Sequence, residues 1–373
     1  MAGIYVHIPF CRSRCSYCDF FSVVSLTHRK ALLHAMAVEI EQTAGMLHGE
    51  TITTIYFGGG TPSLLSPTET GNLLSTIHQL HPVASDAEVT LEVNPDDVNV
   101  DQLNRWIDAG FNRFSIGIQS FHTEDLAYLD RRHNPDMAKH AMELVAKAAV
   151  TSYSVDLIYD IPGQSPQRFA ENLAACAGVP HLSCYALTIE HGTPLQVQIR
   201  KGIKKAPTEK LFAKHWKVLT DFARQNNYIH YETSNLCLNG HYARHNVNYW
   251  NNTPYLGIGP SAHSYCQSKR WWNHAHIPKY IFGTTNVSAI QEVEELSEKD
   301  QINELIMTRL RTVWGINLKQ FEESFGPKAV DKLVHDCRTH IHQDHFELTN
   351  EYLRLSNQGK MVEDNIIKTL FIS

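Results

Sequence analysis

Through the first half of the chain, short β-branched or aromatic runs alternate with longer stretches of helical period. Ile4–Ile8, Ile52–Phe57, Glu88–Val93, Arg113–Ile118, Ser152–Ile158 and Leu182–Thr188 are bounded by Gly, Pro, Asn or Asp and read as strands. Between them, Arg29–Thr43, Ser66–Leu80, Val100–Ala109, Asp136–Ala149 and Ser165–Ala177 read as helices. Such alternation predicts an α/β fold whose parallel sheet is built with right-handed crossovers. Six units in succession predict a barrel or partial barrel, (βα)6.

Beyond about residue 200 the pattern loosens. Lys204–Asn226 reads as a helix, Tyr228–Asn235 as a strand, and Gly240–Trp272 is rich in aromatics and histidine. Helices are expected at Ile302–Leu310, Lys319–Phe325 and Ala329–His335, then a strand pair at Phe346–Leu348 and Leu353–Leu355. The acidic Gln291–Asp300 segment reads as a solvated linker or a helix start. The expected division is therefore 1–290 for the barrel with its aromatic segment and 291–373 for a small, mostly helical C-terminal domain.

Composition narrows the class. The 373 residues are 43% apolar and 19% charged, as in a globular protein, and the net charge is −6. No excess of Lys and Arg exists to meet phosphates, which argues against a nucleic-acid partner. Met1-Ala2-Gly3 leads into a strand without a basic or long apolar leader, and no window approaches 18 apolar residues. A cytoplasmic protein without a transmembrane segment is expected, in a compartment that keeps thiols reduced. Of eight cysteines, Cys176, Cys184, Cys237, Cys266 and Cys337 are scattered and read as structural. Cys11, Cys15 and Cys18 cluster as C-x3-C-x2-C, which in a reducing compartment points to metal.

The polar motifs follow the strands, where parallel sheets place their sites. Pro9-Phe10-Cys11 follows the first, Gly58-Gly59-Gly60-Thr61-Pro62 the second, and Asn94-Pro95 the third, with Glu92 inside it. Gln119 and Ser120 follow the fourth strand; Asp156 and Pro162-Gly163-Gln164 belong to the fifth. Structural zinc wants four ligands. Three thiolates suit a cubane cluster held at three corners, its fourth iron open to a small ligand. Zinc completed by another donor is the alternative. The three glycines allow a ligand to approach the backbone. Glu92 and Asp156 read equally as ligand contacts or as ion pairs with Arg113 or Arg131.

The cysteine spacing together with Gly-Gly-Gly-Thr-Pro resembles the radical S-adenosylmethionine (SAM) superfamily, whose members hold a [4Fe–4S] cluster with SAM on the open iron. Tyr5-x-His7-Ile-Pro-Phe-Cys11, Leu91-Glu92-Val-Asn94-Pro95, Ser115-Ile-Gly117-Ile-Gln119 and Asp156-Leu-Ile-Tyr-Asp-Ile-Pro-Gly-Gln164 resemble one branch of it. That branch holds oxygen-independent coproporphyrinogen III oxidase (HemN) and the heme chaperone HemW. Gly257-Ile-Gly259-Pro-Ser-Ala-His-Ser264 and Leu310-Arg311-Thr-Val-Trp-Gly315 extend the likeness over nearly the whole chain.

The resemblance implies a partial TIM-type barrel and assigns roles. Tyr5 and Tyr17 would flank SAM; Gly59, Gly60 and Thr61 would hold its methionyl end; Glu92 would accept from an amine or ribose. Gln119, Arg131 and Asp156 match residues that contact a second SAM in the oxidase. The oxidase has a further cysteine just after the third and a long N-terminal extension. Here Asp19-Phe20 follows Cys18 and the first strand begins almost at once, departures that match the chaperone. His245-Asn246-Val-Asn-Tyr249-Trp250 fits the chaperone's HNxxYW motif. It implies heme contact through His245, Tyr249 and Trp250, with His335, His340, His342 and His345 as competitors. The implied function is to bind heme and pass it to an acceptor hemoprotein, with peripheral contact at a membrane face. The alternative is the oxidase of porphyrin biosynthesis. Relatives usually carry Gly at the position of Asp160, which leaves that loop's geometry open.

Overall fold

The computed structural model describes residues 1–341 and 344–372. Six βα units open the chain. The strands are β1 (Ala2–Ile8), β2 (Ile52–Gly59), β3 (Val83–Val93), β4 (Arg113–Gln119), β5 (Ser152–Tyr159) and β6 (His181–Ala186). The helices between and after them are α1 (Arg29–Thr43), α2 (Pro67–Leu80), α3 (Val100–Asp108), α4 (Thr123–Tyr128), α5 (Pro135–Ala146), α6 (Pro166–Ala175), α7 (Pro194–Arg200) and α8 (Glu209–Gln225). Local chemistry sets several helix starts. Ser66, Asn134 and Ser165 each accept the N3 amide in their side chain and are followed by Pro. Each such cap contributes about 1 kcal/mol.

The rest comprises β7 (Ile229–His230), β8 (Asn235–Cys237), α9 (Arg244–Trp250), β9 (Tyr255–Ile258), β10 (His263–Cys266), β11 (Lys269–Asn273), α10 (Ile277–Gly283) and β12 (Gln291–Glu295). Then come α11 (Glu298–Arg309), β13 (Ile316–Asn317), α12 (Leu318–Phe325), α13 (Pro327–Ile341), β14 (Phe346–Leu348), β15 (Tyr352–Leu355), α14 (Asn357–Lys360) and α15 (Glu363–Leu370).

One sheet runs in the order β12-β11-β10-β9-β1-β2-β3-β4-β5-β6-β8-β7. The expected parallel set β1–β6 is present, and β9 extends it by pairing parallel to β1. β8 and β10–β12 are antiparallel additions, and among the described residues β12 and β7 do not pair. Helices and sheet share an apolar core that includes Phe57, Trp106, Phe111 and Phe114. A second cluster, around Leu310, Phe321, Leu353 and Ile367, lies in the C-terminal helices and the small sheet β13-β15-β14.

The acidic stretch is not a linker at its start: Gln291–Glu295 is the edge strand β12. Its acids face basic partners on β11, in the pairs Lys269–Glu295 (3.1 Å) and Arg270–Glu294 (3.8 Å). Cross-strand charge pairing of this kind is invisible until the partner strand is known.

β5 leaves the sheet through Asp160 with φ at 63°, a conformation Asp tolerates better than most residues. Its N–H donates to His215 Nδ1 at 3.1 Å, while its buried Oδ1 has no hydrogen-bond partner. Burial pushes the carboxyl up to about 6. The folded state therefore binds a proton that the unfolded chain releases near pH ~3.9, and stability falls as pH rises between these values. Asp160→Gly is expected to stabilise the protein by about 1 kcal/mol at pH 7, the gain shrinking as pH falls from 6 towards 4. Thermal unfolding at both ends of that range measures it. A variant less stable at pH 7 would contradict this account.

Candidate functional site

The cysteine loop leaves β1 and folds back on it. Cys11 N–H donates to Val23 O at 3.0 Å and Val23 N–H to Pro9 O at 2.7 Å. Flanking contacts hold the loop from two sides. Arg12 bonds Asp97 at 2.7 Å, and Ser63 donates to the same carboxylate at 2.8 Å. Leu195 N–H at the start of α7 donates to Ser16 O at 2.8 Å, and Lys204 Nζ to Ser16 Oγ at 3.2 Å.

A continuous hydrogen-bond chain joins two of the thiols across three strands. The Thr61 hydroxyl donates to Cys11 Sγ at 3.5 Å and accepts from Asn94 Nδ2 at 3.2 Å. Asn94 Oδ1 accepts from Arg131 Nη2 at 2.7 Å, and Arg131 Nη1 reaches Cys15 Sγ at 3.7 Å. Arg131 also donates to Gly117 O at 2.6 Å. Burial raises the Cys11 thiol, opposed by the Thr61 and Ser22 hydroxyls and more weakly by Arg131. Burial likewise pushes Cys18 up to about 11. Metal binding would have to supply the free energy of deprotonation.

The donor set suits a cluster better than zinc. His7 cannot serve as a fourth ligand, because Nδ1 meets Tyr5 Oη at 3.1 Å and Nε2 meets Phe21 O at 2.9 Å. Among the described residues, no three Cys, His, Asp or Glu side chains converge to hold a single ion. A tetrahedral zinc needs four close donors, whereas three spread thiolates can grip three corners of an iron–sulfur cube.

The glycines at the end of β2 also answer a packing need. A Cβ on Gly58 would sit 2.9 Å from Glu92 Oε1, and one on Gly59 2.5 Å from the His7 ring. On Gly60 it would lie 2.8 Å from the backbone oxygens of Ile8 and Phe10. These glycines make room for β1, His7 and Glu92; Gly59 in addition has φ at 105°. Gly59 and Gly60 still line the cavity beside the cysteines.

That cavity, of about 1100 Å³, also takes in Tyr17, Thr61, Glu92, Gln119, Arg131 and Asp156. Glu92 accepts from Tyr56 Oη at 2.8 Å and Gly59 N–H at 3.2 Å. Asp156 takes a forked bond from Ser115 Oγ at 3.0 and 3.1 Å. Neither carboxylate forms a direct ion pair with Arg113 or Arg131, the partners considered from sequence. Burial pushes Glu92 up to about 7 and Asp156 up to about 6. A cationic ligand beside them would favour their charged forms. Gln119, at φ 67°, ends β4 at an irregularity in its pairing with β5.

Four expected contacts lie off this cavity wall: Tyr5, His245, Tyr249 and Trp250. Tyr5 turns to His7 and packs its ring 6.1 Å from Tyr56. His245 is 1% exposed, with Nδ1 on Thr54 Oγ1 at 2.8 Å and Nε2 on Tyr249 Oη at 2.9 Å. Burial lowers it to about 3, so it is neutral. Thr54 lies near the start of β2, and Glu88 near the middle of β3 accepts the Arg244 and His245 amides at 3.1 and 3.0 Å. Helix α9 thus plugs the sheet at the end away from the cysteine loop. The heme-ligand expectation for His245 does not fit this geometry, because both ring nitrogens are taken and the ring is shut from the cavity. Of the competing histidines, His342 and the His340 side chain lie outside the described residues.

Asn94, Ser63 and Asp97 were given no role from sequence. For Asn94 and Asp97 the signal was the run Asn94-Pro95-Asp96-Asp97 directly after a strand whose last residues are apolar except for Glu92; Ser63 had none.

Comparison with known proteins bears on the family. A profile of the radical SAM superfamily matches residues 5–176, and one of the HemN C-terminal domain matches residues 296–362. The "Heme chaperone HemW" of Mycobacterium tuberculosis is 33% identical, covering 99% of this chain and 94% of that one. That of Synechocystis is 36% identical over 85% and 79%. "Radical S-adenosyl methionine domain-containing protein 1, mitochondrial" of Danio rerio is 35% identical over 100% and 87%. Coproporphyrinogen III oxidase (HemN) of Escherichia coli shares the fold, with a TM-score of 0.86 at 22% identity over 99% of this chain and 90% of that one. With three thiols on one loop, a carboxylate-lined cavity beside them and relatives alike along their whole length, the chain belongs to the HemW family of the radical SAM superfamily.

Proposed function

We propose that the protein is a cytoplasmic heme chaperone that binds heme and passes it to an acceptor hemoprotein. The observation that carries this reading is the 33% identity to a heme chaperone across 99% of the chain. Asp19-Phe20 after Cys18, where the oxidase carries a further cysteine, supports it. No helix among the described residues is long and apolar enough to cross a membrane.

Cys11, Cys15 and Cys18 would hold a [4Fe–4S] cluster, and Gly59, Gly60, Thr61 and Glu92 would hold SAM against it. When bound, the cluster would supply an open iron on which SAM could be held. Arg131 sets its positive charge beside Cys15 and, through Asn94 and Thr61, stiffens the loop around Cys11. Glu92 presents a carboxylate to an amine or ribose hydroxyl, and Tyr56 and Gly59 fix its two oxygens. Gln119 and Asp156 extend the polar wall. We also place the divide between the barrel and the C-terminal unit a few residues beyond 290, since β12 at Gln291–Glu295 still belongs to the large sheet.

Anaerobically reconstituted protein, loaded with heme and mixed with an apo-hemoprotein, is expected to pass heme on, seen as transfer of the Soret band to the acceptor. In parallel it is expected to leave coproporphyrinogen III unconverted. Conversion to protoporphyrinogen IX would replace the chaperone reading with the oxidase.

A further inference from the structure

The cavity is larger than one ligand requires. Its volume of about 1100 Å³ exceeds the ~300–1000 Å³ usual for a small-molecule site. The part beside the cysteines is polar, walled by Glu92, Asp156, Arg131 and Thr61. The part formed by β6, α8 and the α14–α15 segment has a different character. Tyr185, Met361 and Val362 line it while 44, 40 and 39% exposed, and Trp216 of α8 lines the same cavity. Large apolar side chains gathered inside one concavity and left open mark a site for an apolar partner.

The same wall carries two lysines, Lys360 and Lys368. Among the described residues the Lys360 ammonium makes no hydrogen bond or ion pair, although burial draws its pKa down. Glu363, Glu347 and Glu232 face this ammonium beyond contact distance, and Glu363 Oε2 and Glu232 Oε1 are buried without a hydrogen-bond partner. Asp364 is bonded to Arg311 at 2.6 Å, and Glu363 accepts the Thr233 hydroxyl at 2.7 Å. Glu190 and Glu209 belong to the β6–α8 side of the opening. An apolar wall with two ammonium groups matches a flat, apolar molecule bearing carboxylates.

We propose that this outer wall is the porphyrin seat, with Tyr185, Met361 and Val362 against the macrocycle and Lys360 and Lys368 on its two propionates. The proposal rests on the heme-binding reading above and names where on this chain that binding occurs. It sets the heme seat beside the polar region around Glu92 and Asp156, whose charges reach Tyr185, and apart from the plug formed by His245.

The test is a Soret titration of the full-length reconstituted protein with ferric heme and with heme dimethyl ester, which lacks both carboxylates. Lys368→Glu, at an exposed position, and Lys360→Met, which keeps the apolar stem, are each expected to weaken heme binding about tenfold or more. The wild type is expected to bind the ester about as weakly as the variants bind heme, and the variants to distinguish the two ligands little. Should Lys360→Met fail to fold, the Lys368 variant and the ester decide the matter. Wild-type affinity in the variants, with heme and ester bound alike, overturns the proposal and leaves the chaperone reading standing. A wild type that binds no heme removes both.

Discussion

Serine in place of Cys15 is expected to abolish iron–sulfur loading, whereas serine in place of Cys176 leaves it intact. The loop offers three thiols and His7 has no free nitrogen to replace one, so losing any one leaves two donors for the cluster. A serine hydroxyl is far harder to ionise than a thiol and is a harder donor, poorly suited to iron–sulfur ligation. Cys176, fully buried in the apolar core with its thiol raised by burial, has no route to metal. Iron and sulfide content after anaerobic reconstitution separates the two variants. Asn94→Ala gives the graded case. It breaks the link between Thr61 and Arg131 without touching a ligand, so loading is expected between the wild type and Cys15→Ser. Full iron content in Cys15→Ser would refute the three-thiol site.

His245→Ala is expected to act on stability rather than on heme. Removing the imbedded ring leaves a cavity between Tyr56, whose ring lies 5.2 Å away, and Thr54. It also strands the Tyr249 hydroxyl, which among the described contacts bonds only His245. A lost buried side chain and an orphaned polar group together cost about 3 kcal/mol, or a fall in Tm on the order of 5 °C. Heme affinity measured well below that Tm is expected to match the wild type. An unchanged Tm with lost heme affinity would restore His245 as an iron ligand.

The difference between these two residues shows what the sequence made legible. β1–β6 could be read because each buried parallel strand is a compact β-branched run closed by turn residues. The cysteines could be read because ligand spacing is local chemistry. β9 could not, since Tyr255–Ile258 becomes a strand only by lying beside β1, some 250 residues earlier. β12 looked like solvent-facing acid until Lys269 and Arg270 were placed opposite it. The Thr61–Asn94–Arg131 chain joins residues 33 and 37 positions apart, and no local pattern announces such a meeting. His245 was expected at heme because its motif resembles the chaperone's, and no local pattern announces the contacts that engage it, since Thr54 comes from β2 and Tyr249 from the next helical turn.

The ends of the large sheet bear on strand addition by a second copy, although the β12 acids are partly neutralised by Lys269 and Arg270. An open edge is a template on which another copy can lay a strand. One edge here is β7, only 2 residues long, too short to nucleate such an addition. The other is β12, where Val293, 63% exposed, stands among Glu292, Glu294 and Glu295. A second copy adding there would bring its own acidic strand against these carboxylates, which Lys269 and Arg270 neutralise only in part, and the remaining repulsion would disfavour the addition.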